Sequence, residues 1–405
     1  MHPFPRFLNS FLQNPVLFYL FLQDIYLQNS INYGYVMNNE IVYQIALGMI
    51  PGIGGVTARK LISYCGSAAS VFKEKNEQLQ KIPGIGAVTA KSLNNSKVLH
   101  KAEQELIFIR KHGIRAISFM EKDYPYRLKQ CEDGPVVLFV KGNVNLNADK
   151  IVSVVGTRSI TRYGRQKCKE IIEGLKPHKP LIVSGLAYGV DACVHKSALE
   201  SGLQTLAILG HGLDRIYPTP HRGLARKMLH QGGLATDFVS GTTPDRENFP
   251  KRNRIIAGIC DAVVVIEAAV TGGALITANI ANTYNRDVFA LPGRTGDPYS
   301  MGCNKLIKTH KANLIETVAD LEYVMNWETN KKTAEKLHPI FVRLERDEEK
   351  MVEVLRQYPE AGIDTLLVHS GFSTGKASAL LLNLEFKEVV TQMPGKQFKL
   401  NDAYL

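Results

Sequence analysis

From residue 151 onward, short apolar runs alternate with stretches of helical period. Ile151–Val155 (IVSVV), Leu181–Gly185 (LIVSG), Gln204–Gly210 (QTLAILG), Ala262–Ala268 (AVVVIEA) and Asp287–Gly293 (DVFALPG) are largely apolar on both faces, as strands buried on both sides are. Between them, Arg162–Leu175, the segment through His195 to Leu199, Arg222–His230 and Leu275–Tyr284 carry helical patterning, and Gly233–Thr236 adds a short strand. Strands and helices in alternation predict an α/β domain built on a Rossmann-like, doubly wound parallel sheet. A further β-rich run, VVLFV, ends at Gly142.

The flanks have other periods. Residues 40–110 read as short helices and contain a repeat: MIPGIGGVTARKL (Met49–Leu61) recurs as KIPGIGAVTAKSL (Lys81–Leu93). Pro and Gly set a tight hairpin, and a helix starts near Val56 and near Val88. This is the pattern of a tandem helix-hairpin-helix, which either grips a nucleic-acid backbone or serves as a docking element. At the other end, helices over Asp347–Gln357, Asp364–His369 and Lys376–Glu385 precede strands at Val389–Val390 and Phe398–Leu400 around Pro394-Gly395, the order of a winged helix. The third of these helices has little positive charge, which favours a protein contact over duplex reading. The chain thus divides into a leader (1–36), a helical domain (37–111), a Rossmann-like domain (112–325), a linker (326–342) and a winged helix (343–405). Residues 1–36 carry no motif, and Met37 stands just before the first patterned segment, so the leader is expected to be dispensable. Its longest apolar run, Val16–Leu22, is far short of the ~20 residues that span a bilayer, so no membrane partner is expected.

Composition adds little to the fold but something to the partner. The 405 residues are 45% hydrophobic and 21% charged, with a formal net charge of +11, which suits a polyanion. The six cysteines (65, 131, 168, 193, 260, 303) are scattered, with no C-x-x-C pair and no clustered histidines. That spacing argues against a disulfide framework and a zinc site and fits a reducing cytoplasm.

The candidate chemistry lies at the ends of the strands. Nearly every strand runs into a small or Gly-rich turn: Gly156-Thr157-Arg158, Ser184–Gly189, Gly210–Gly212, Thr271-Gly272-Gly273. Ligands of doubly wound sheets bind outside the carboxyl ends of the strands, so these turns face one site. The most concentrated stretch is FPKRNRIIAG (Phe249–Gly258), which sets Lys251, Arg252, Arg254, Asn253 and Phe249 at a helix start. A helix N-terminus already favours anions, guanidiniums bind phosphate in a bidentate way, and an aromatic face can stack a base. The expected site is a phosphate-and-base pocket. Arg158, Lys251, Arg252 and Arg254 supply the cations, backbone N–H groups come from Gly156, Ser184, Gly185, Thr271 and Gly272, and Phe249 is the stacking ring. One of the cations is expected to pair with an acid such as Asp237 or Glu247, Arg254 first. No G-x-G-x-x-G and no G-x-x-x-x-G-K-[ST] occurs, so neither a dinucleotide cofactor nor ATP is expected.

VVGTRSITRYG (154–164), IVSGLAYGVDACVH (182–195), LGHGLDRIYP (209–218), FPKRNRIIAG, VVIEA (264–268), TGGALITA (271–278), LPG (291–293) and SMGCNKLI (300–307) together resemble the DNA-processing protein A (DprA/Smf) family over residues 40–405. The chain departs from the family pattern at Cys193-Val194, Thr219, Thr236-Asp237 and Thr271-Gly272-Gly273-Ala274. The resemblance implies a non-catalytic, cytoplasmic, dimeric protein that binds single-stranded DNA in natural transformation and loads the RecA recombinase onto it. Two alternatives stand beside it. One is a Rossmann-like nucleotide hydrolase, for which Asp191 and His195, four apart on one helix, would be the acid–base pair and Glu267 a further acid; the other is a winged-helix transcriptional regulator. Against the first, an Asp at a helix start and a buried, hydrogen-bonded His account for the same residues.

Overall fold

The structure, a computed structural model, describes residues 40–93, 96–327, 344–359, 361–387, 389–393, 397–401 and 404. The leader 1–36, most of the linker 326–342 and the Pro394-Gly395 turn lie outside the described residues. The chain forms two compact units, divided between residues 329 and 330.

The first unit is built on a nine-stranded sheet. Its strands are β1 (Arg115–Ser118), β2 (Val137–Gly142), β3 (Ile151–Val155), β4 (Leu181–Ser184), β5 (Thr205–Ile208), β6 (Gly232–Thr236), β7 (Ala262–Val265), β8 (Asp287–Ala290) and β9 (Asn313–Leu314). The order is β1-β2-β6-β5-β4-β3-β7-β8-β9. From β6 to β9 every pairing is parallel; β2 runs antiparallel to β6, and β1 to β2. The sheet is therefore mixed at one edge rather than parallel throughout. The antiparallel edge arises from the segment before β3, where β1 and β2 pair without a crossover helix. Strands β3 to β7 are buried along their whole length, because helices cover both faces.

Chain direction sets the site. Strands β4, β5 and β6 are added on one side of β3, and β7, β8 and β9 on the other. The reversal between β3 and β7 is the topological switch point, where neighbouring turns part and leave a crevice at the carboxyl ends. The Asn248–Gly258 helix leads into β7, and Gly273–Thr283 follows it; the two pack against each other.

The helical segment joins the same unit. Gly55–Cys65 and Ala87–Leu93 are the helices that follow the two hairpins, and Ser96–Lys111 closes the layer. Ile53, Leu61, Ile82, Ala90 and Ile109 share a core with Val136, Val137 and Phe139 of the sheet's edge. In the second unit, helices Arg346–Gln357, Ile363–Ser370 and Thr374–Phe386 stand with an antiparallel sheet in the order β10 (Ala361–Gly362), β12 (Gln397–Leu400), β11 (Val390–Met393). Met351, Leu355, Leu366, Leu381 and Phe398 form its core. Glu348 closes a capping box with Glu345 and takes Lys387 Nζ at 2.6 Å, tying the first helix to the end of the third.

Candidate nucleic-acid interface

At the switch point, a concavity of about 320 Å³ opens between the turns after β3 and β7. Gly156, Thr157, Arg158, Phe249, Arg252, Asn253, Thr271 and Gly272 all line it, with Asp191 at its wall. A small adjoining recess shares Arg158, Phe249 and Arg252 and adds Tyr188, His211 and Tyr217.

Two arginines define the charge. Arg158 is exposed at the end of the β3 turn, and its guanidinium lies over the Phe249 ring at 5.3 Å. Arg252 lies beneath, only 5% exposed. Its Nη1 donates to the Ile208 carbonyl at 2.5 Å, while its Nε is buried without a partner. Burial, and to a smaller extent the Arg158 charge, lower the Arg252 pKa; Asp191 opposes them. A buried guanidinium with an unmatched donor, facing an opening that a second guanidinium overhangs, is poised for an anion. Across the opening, Gly273–Thr283 begins at Gly272, where φ is +152° and no side chain caps the helix, so its first N–H groups face the same space. Asn253 Nδ2 reaches the Gly273 carbonyl at 3.3 Å and holds the two helices in register.

Several expected ligands have other roles or lie elsewhere. Ser184 sits inside β4, paired with Ala207, and its hydroxyl donates to the Val154 carbonyl at 2.6 Å. Gly156 is a packing glycine, because a Cβ there would come within 2.4 Å of Val190 Cγ2. The neighbouring Thr157 N–H is spent on the Glu267 carbonyl at 2.8 Å. Gly185 makes room, since a Cβ would meet Arg252 Nη1 at 2.2 Å and Asp191 Oδ2 at 2.3 Å. Lys251 is exposed but lines neither opening. Arg254 is directed away: it pairs with Asp237, donates to the Asp133 carbonyl, and lines a separate cavity of about 620 Å³ between the helical segment and the sheet. The reason is helical geometry, as positions two apart project roughly 200° from each other. Tyr188 and Tyr217, both about half exposed, are absent from the residues expected from sequence; each is the aromatic inside a Gly- or Pro-bearing turn, the only sequence signal they offer.

The candidate acid–base pair is built into the interior. His195 is fully buried; its Nε2 donates to the Gly185 carbonyl at 2.5 Å, leaving Nδ1 to accept from the Thr205 hydroxyl at 2.7 Å. Burial drives its pKa down to about 4 against the Gly185 hydrogen bond, so the ring is neutral at pH 7. Asp191 Oδ2 accepts the Ala187 N–H at 3.2 Å, and burial raises its pKa. Glu267 clamps the start of Arg162–Gly174, accepting the Thr161 N–H at 2.9 Å and hydroxyl at 2.5 Å.

The two hairpins differ. Gly55 of the first is pressed on the loop below, where a Cβ would lie 2.4 Å from the Gly134 carbonyl oxygen, and Arg59 donates to the carbonyls of Lys129 and Cys131 at 3.2 and 2.9 Å. The second is open, with Val88 86% exposed. No group of side chains among the described residues could hold a metal ion, and no described helix is long and apolar enough to cross a membrane.

A mixed, mostly parallel sheet with helices on both faces, joined to a tandem hairpin and a winged helix, defines a Rossmann-like protein with two accessory modules. The family profile for DNA recombination-mediator protein A matches residues 115–326. The SAM-like helix-hairpin-helix tandem matches 45–93, and the DprA winged helix domain 343–396. The chain belongs to the DprA/Smf family of DNA-processing proteins. It is 30% identical to protein Smf of Synechocystis over 398 residues, covering 89% of this chain and 99% of that one. It is 40% identical to DNA processing protein DprA of Streptococcus pneumoniae over 193 residues, covering 48% and 68%. The X-ray structure of DprA from S. pneumoniae superposes with a TM-score of 0.58 at 31% identity, covering 70% of this chain and 96% of that one.

Proposed function

We propose that the concavity at the switch point binds the backbone of single-stranded DNA, without catalysis, and that the chain protects incoming DNA in natural transformation and loads RecA onto it. The observation that carries the reading is the stack of Arg158 over Phe249 above a buried, incompletely partnered Arg252, opposite an uncapped helix N-terminus. Phosphates bind the guanidiniums and the helix N–H groups. Splayed bases stack on Tyr188, Tyr217 or Phe249, which demands a single strand, since paired bases present no free face. Stacking and phosphate contact ignore base identity, so any sequence is accepted. The roles at RecA, as a homodimer and in the cytoplasm rest on family membership and the basic charge.

The hydrolase alternative needs an accessible base, and both His195 nitrogens are occupied by protein groups. The regulator alternative needs a cationic recognition helix. In Thr374–Phe386 the one cation, Lys376, pairs with Asp347 at 2.6 Å, and Leu382 and Phe386 are exposed. Titrating labelled single- and double-stranded oligonucleotides, with a parallel assay for nucleotide hydrolysis, tests the proposal. Preference for the single strand without hydrolysis supports it. Preference for duplex, or hydrolysis lost in His195→Gln, overturns it. RecA loading is read separately, as faster RecA filament growth on DNA already covered by a single-strand-binding protein.

A further inference from the structure

Two thiols that the DNA site does not use lie on two packed helices beside it. Cys168 lies on the Arg162–Gly174 helix and Cys193 on the Val190–Glu200 helix that packs against it. Cys168 is fully buried, whereas Cys193 is half-buried at the rim of the same core. The Cys193 sulfur points at the neighbouring helix, 4.0 Å from the Arg165 carbonyl oxygen one turn before Cys168, and Cys193 packs against the apolar cluster that holds Cys168. We propose that Cys168 and Cys193 form a reversible disulfide, closed by a peroxide that reacts first at Cys193.

The environments of the six thiols separate the reacting sulfur from the others, all of which are free. The neighbouring Cys168 draws Cys193 below the ordinary thiol range; Ser197, Arg165 and Lys196 act the same way, against burial. The Cys193 neighbour, with burial, pushes Cys168 up. Cys131, Cys260 and Cys303 are buried and pushed up by that burial, and Cys65 is raised by burial and by Glu74. Cys193 is thus the reachable thiol with the most thiolate character, and Cys168, on the helix packed against it, is the resolving partner.

The chemistry balances with hydrogen peroxide as oxidant. The Cys193 thiolate attacks one peroxide oxygen, an S–O bond forms, the O–O bond breaks, and the departing hydroxide takes a proton to become water. Cys168 then attacks the sulfenic sulfur. The S–S bond forms, the S–O bond breaks, and hydroxide leaves as water with the Cys168 proton. Two electrons pass from the thiols to the peroxide, and a dithiol reductant reverses the bond. The bridge would join the helices that flank the Arg158 turn. Val190 N donates to the Thr157 carbonyl at 3.1 Å, and a Cβ on Gly189 would come within 2.2 Å of that oxygen, so the second helix begins against the turn itself.

The test treats the native full chain with hydrogen peroxide, alkylates it after denaturation, and maps the peptides by mass spectrometry. The expected result is four alkylated thiols of the six, one peptide pair joined through Cys168 and Cys193, and full recovery of six after dithiothreitol. Cys168→Ser should leave a sulfenic acid at Cys193 that dimedone captures, and Cys193→Ser should leave Cys168 reduced. The proposal fails if the wild type keeps Cys168 alkylated while Cys193 carries the dimedone adduct or sulfinic acid. It also fails if the bridge joins two chains, or if Cys168 is oxidised as fast in Cys193→Ser as in the wild type. The wild-type arms decide even where a variant is poorly folded.

Discussion

His195 gives the most quantitative test of the interior behind the site. Its pKa in the folded chain is about 4, against 6.5 for a free imidazole, and the principal cause is burial. A folded pKa below the unfolded one means that the unfolded chain binds the extra proton first. Above pH 6.5 the ring is neutral in both states and its contribution to stability is complete. Between pH 6.5 and 4 only the unfolded chain is protonated, and stability falls; below 4 the contribution is gone. At about 1.4 kcal/mol per pH unit, that interval amounts to about 3 kcal/mol. His195→Gln keeps a donor for the Gly185 carbonyl and an acceptor for the Thr205 hydroxyl but has no titration. Urea unfolding of both chains at steps from pH 7 to pH 4 isolates the term, because the carboxylates are common to the two. The wild type should lose about 3 kcal/mol more than the variant over this range, and the variant should be the less stable at pH 7 by about 1 kcal/mol for imperfect hydrogen bonds. Parallel stability curves would refute the buried, neutral imidazole and reopen a chemical role for His195.

Two further predictions concern the arginines. Gly185→Ala forces a methyl group to within 2.2 Å of Arg252 Nη1, the atom held on the Ile208 carbonyl; stability should fall by about 1–3 kcal/mol in chemical denaturation, with loss of oligonucleotide binding. Wild-type stability in this variant would show that Arg252 is not held where the structure puts it. Arg254→Ala strands the Asp237 carboxylate and the Asp133 carbonyl, so it should cost about 1–3 kcal/mol in the same assay while leaving DNA affinity within twofold.

The sequence made the central architecture legible where a segment's pattern matched its burial. β3, β4, β5 and β7 are covered on both faces, so their apolar runs stand out, and the helices between them keep a clear period. β1 is four residues at the edge, half of them exposed or intermediate, and Tyr126–Lys129 is a single helical turn; neither is long enough to show a period. At the site, the turns after β3 and β7 could be placed together because strand order dictates it. The direction of each side chain could not. FPKRNR groups its cations in sequence, but the helix separates them: Arg252 goes under the opening, Lys251 to the surface and Arg254 to Asp237. Glycine in a turn suggests a free backbone N–H for phosphate, whereas Gly156 and Gly185 are there to admit Val190 and the Arg252 side chain. Tyr188 and Tyr217 lay within recognised turns, and only the folded chain shows that their rings line the recess beside Phe249.

The most direct test of the central claim is the salt dependence of binding to a labelled poly-pyrimidine oligonucleotide by wild type, Arg158→Ala, Arg252→Ala and the double variant. Each phosphate contact on a single strand contributes about 0.7 to the slope of log K against log salt. The account predicts that each single variant lowers the slope by about that amount and the double variant by about twice as much, with affinity falling for every sequence alike. A double variant that binds as tightly as wild type, with an unchanged slope, would contradict it and move the search to the open second hairpin around Val88.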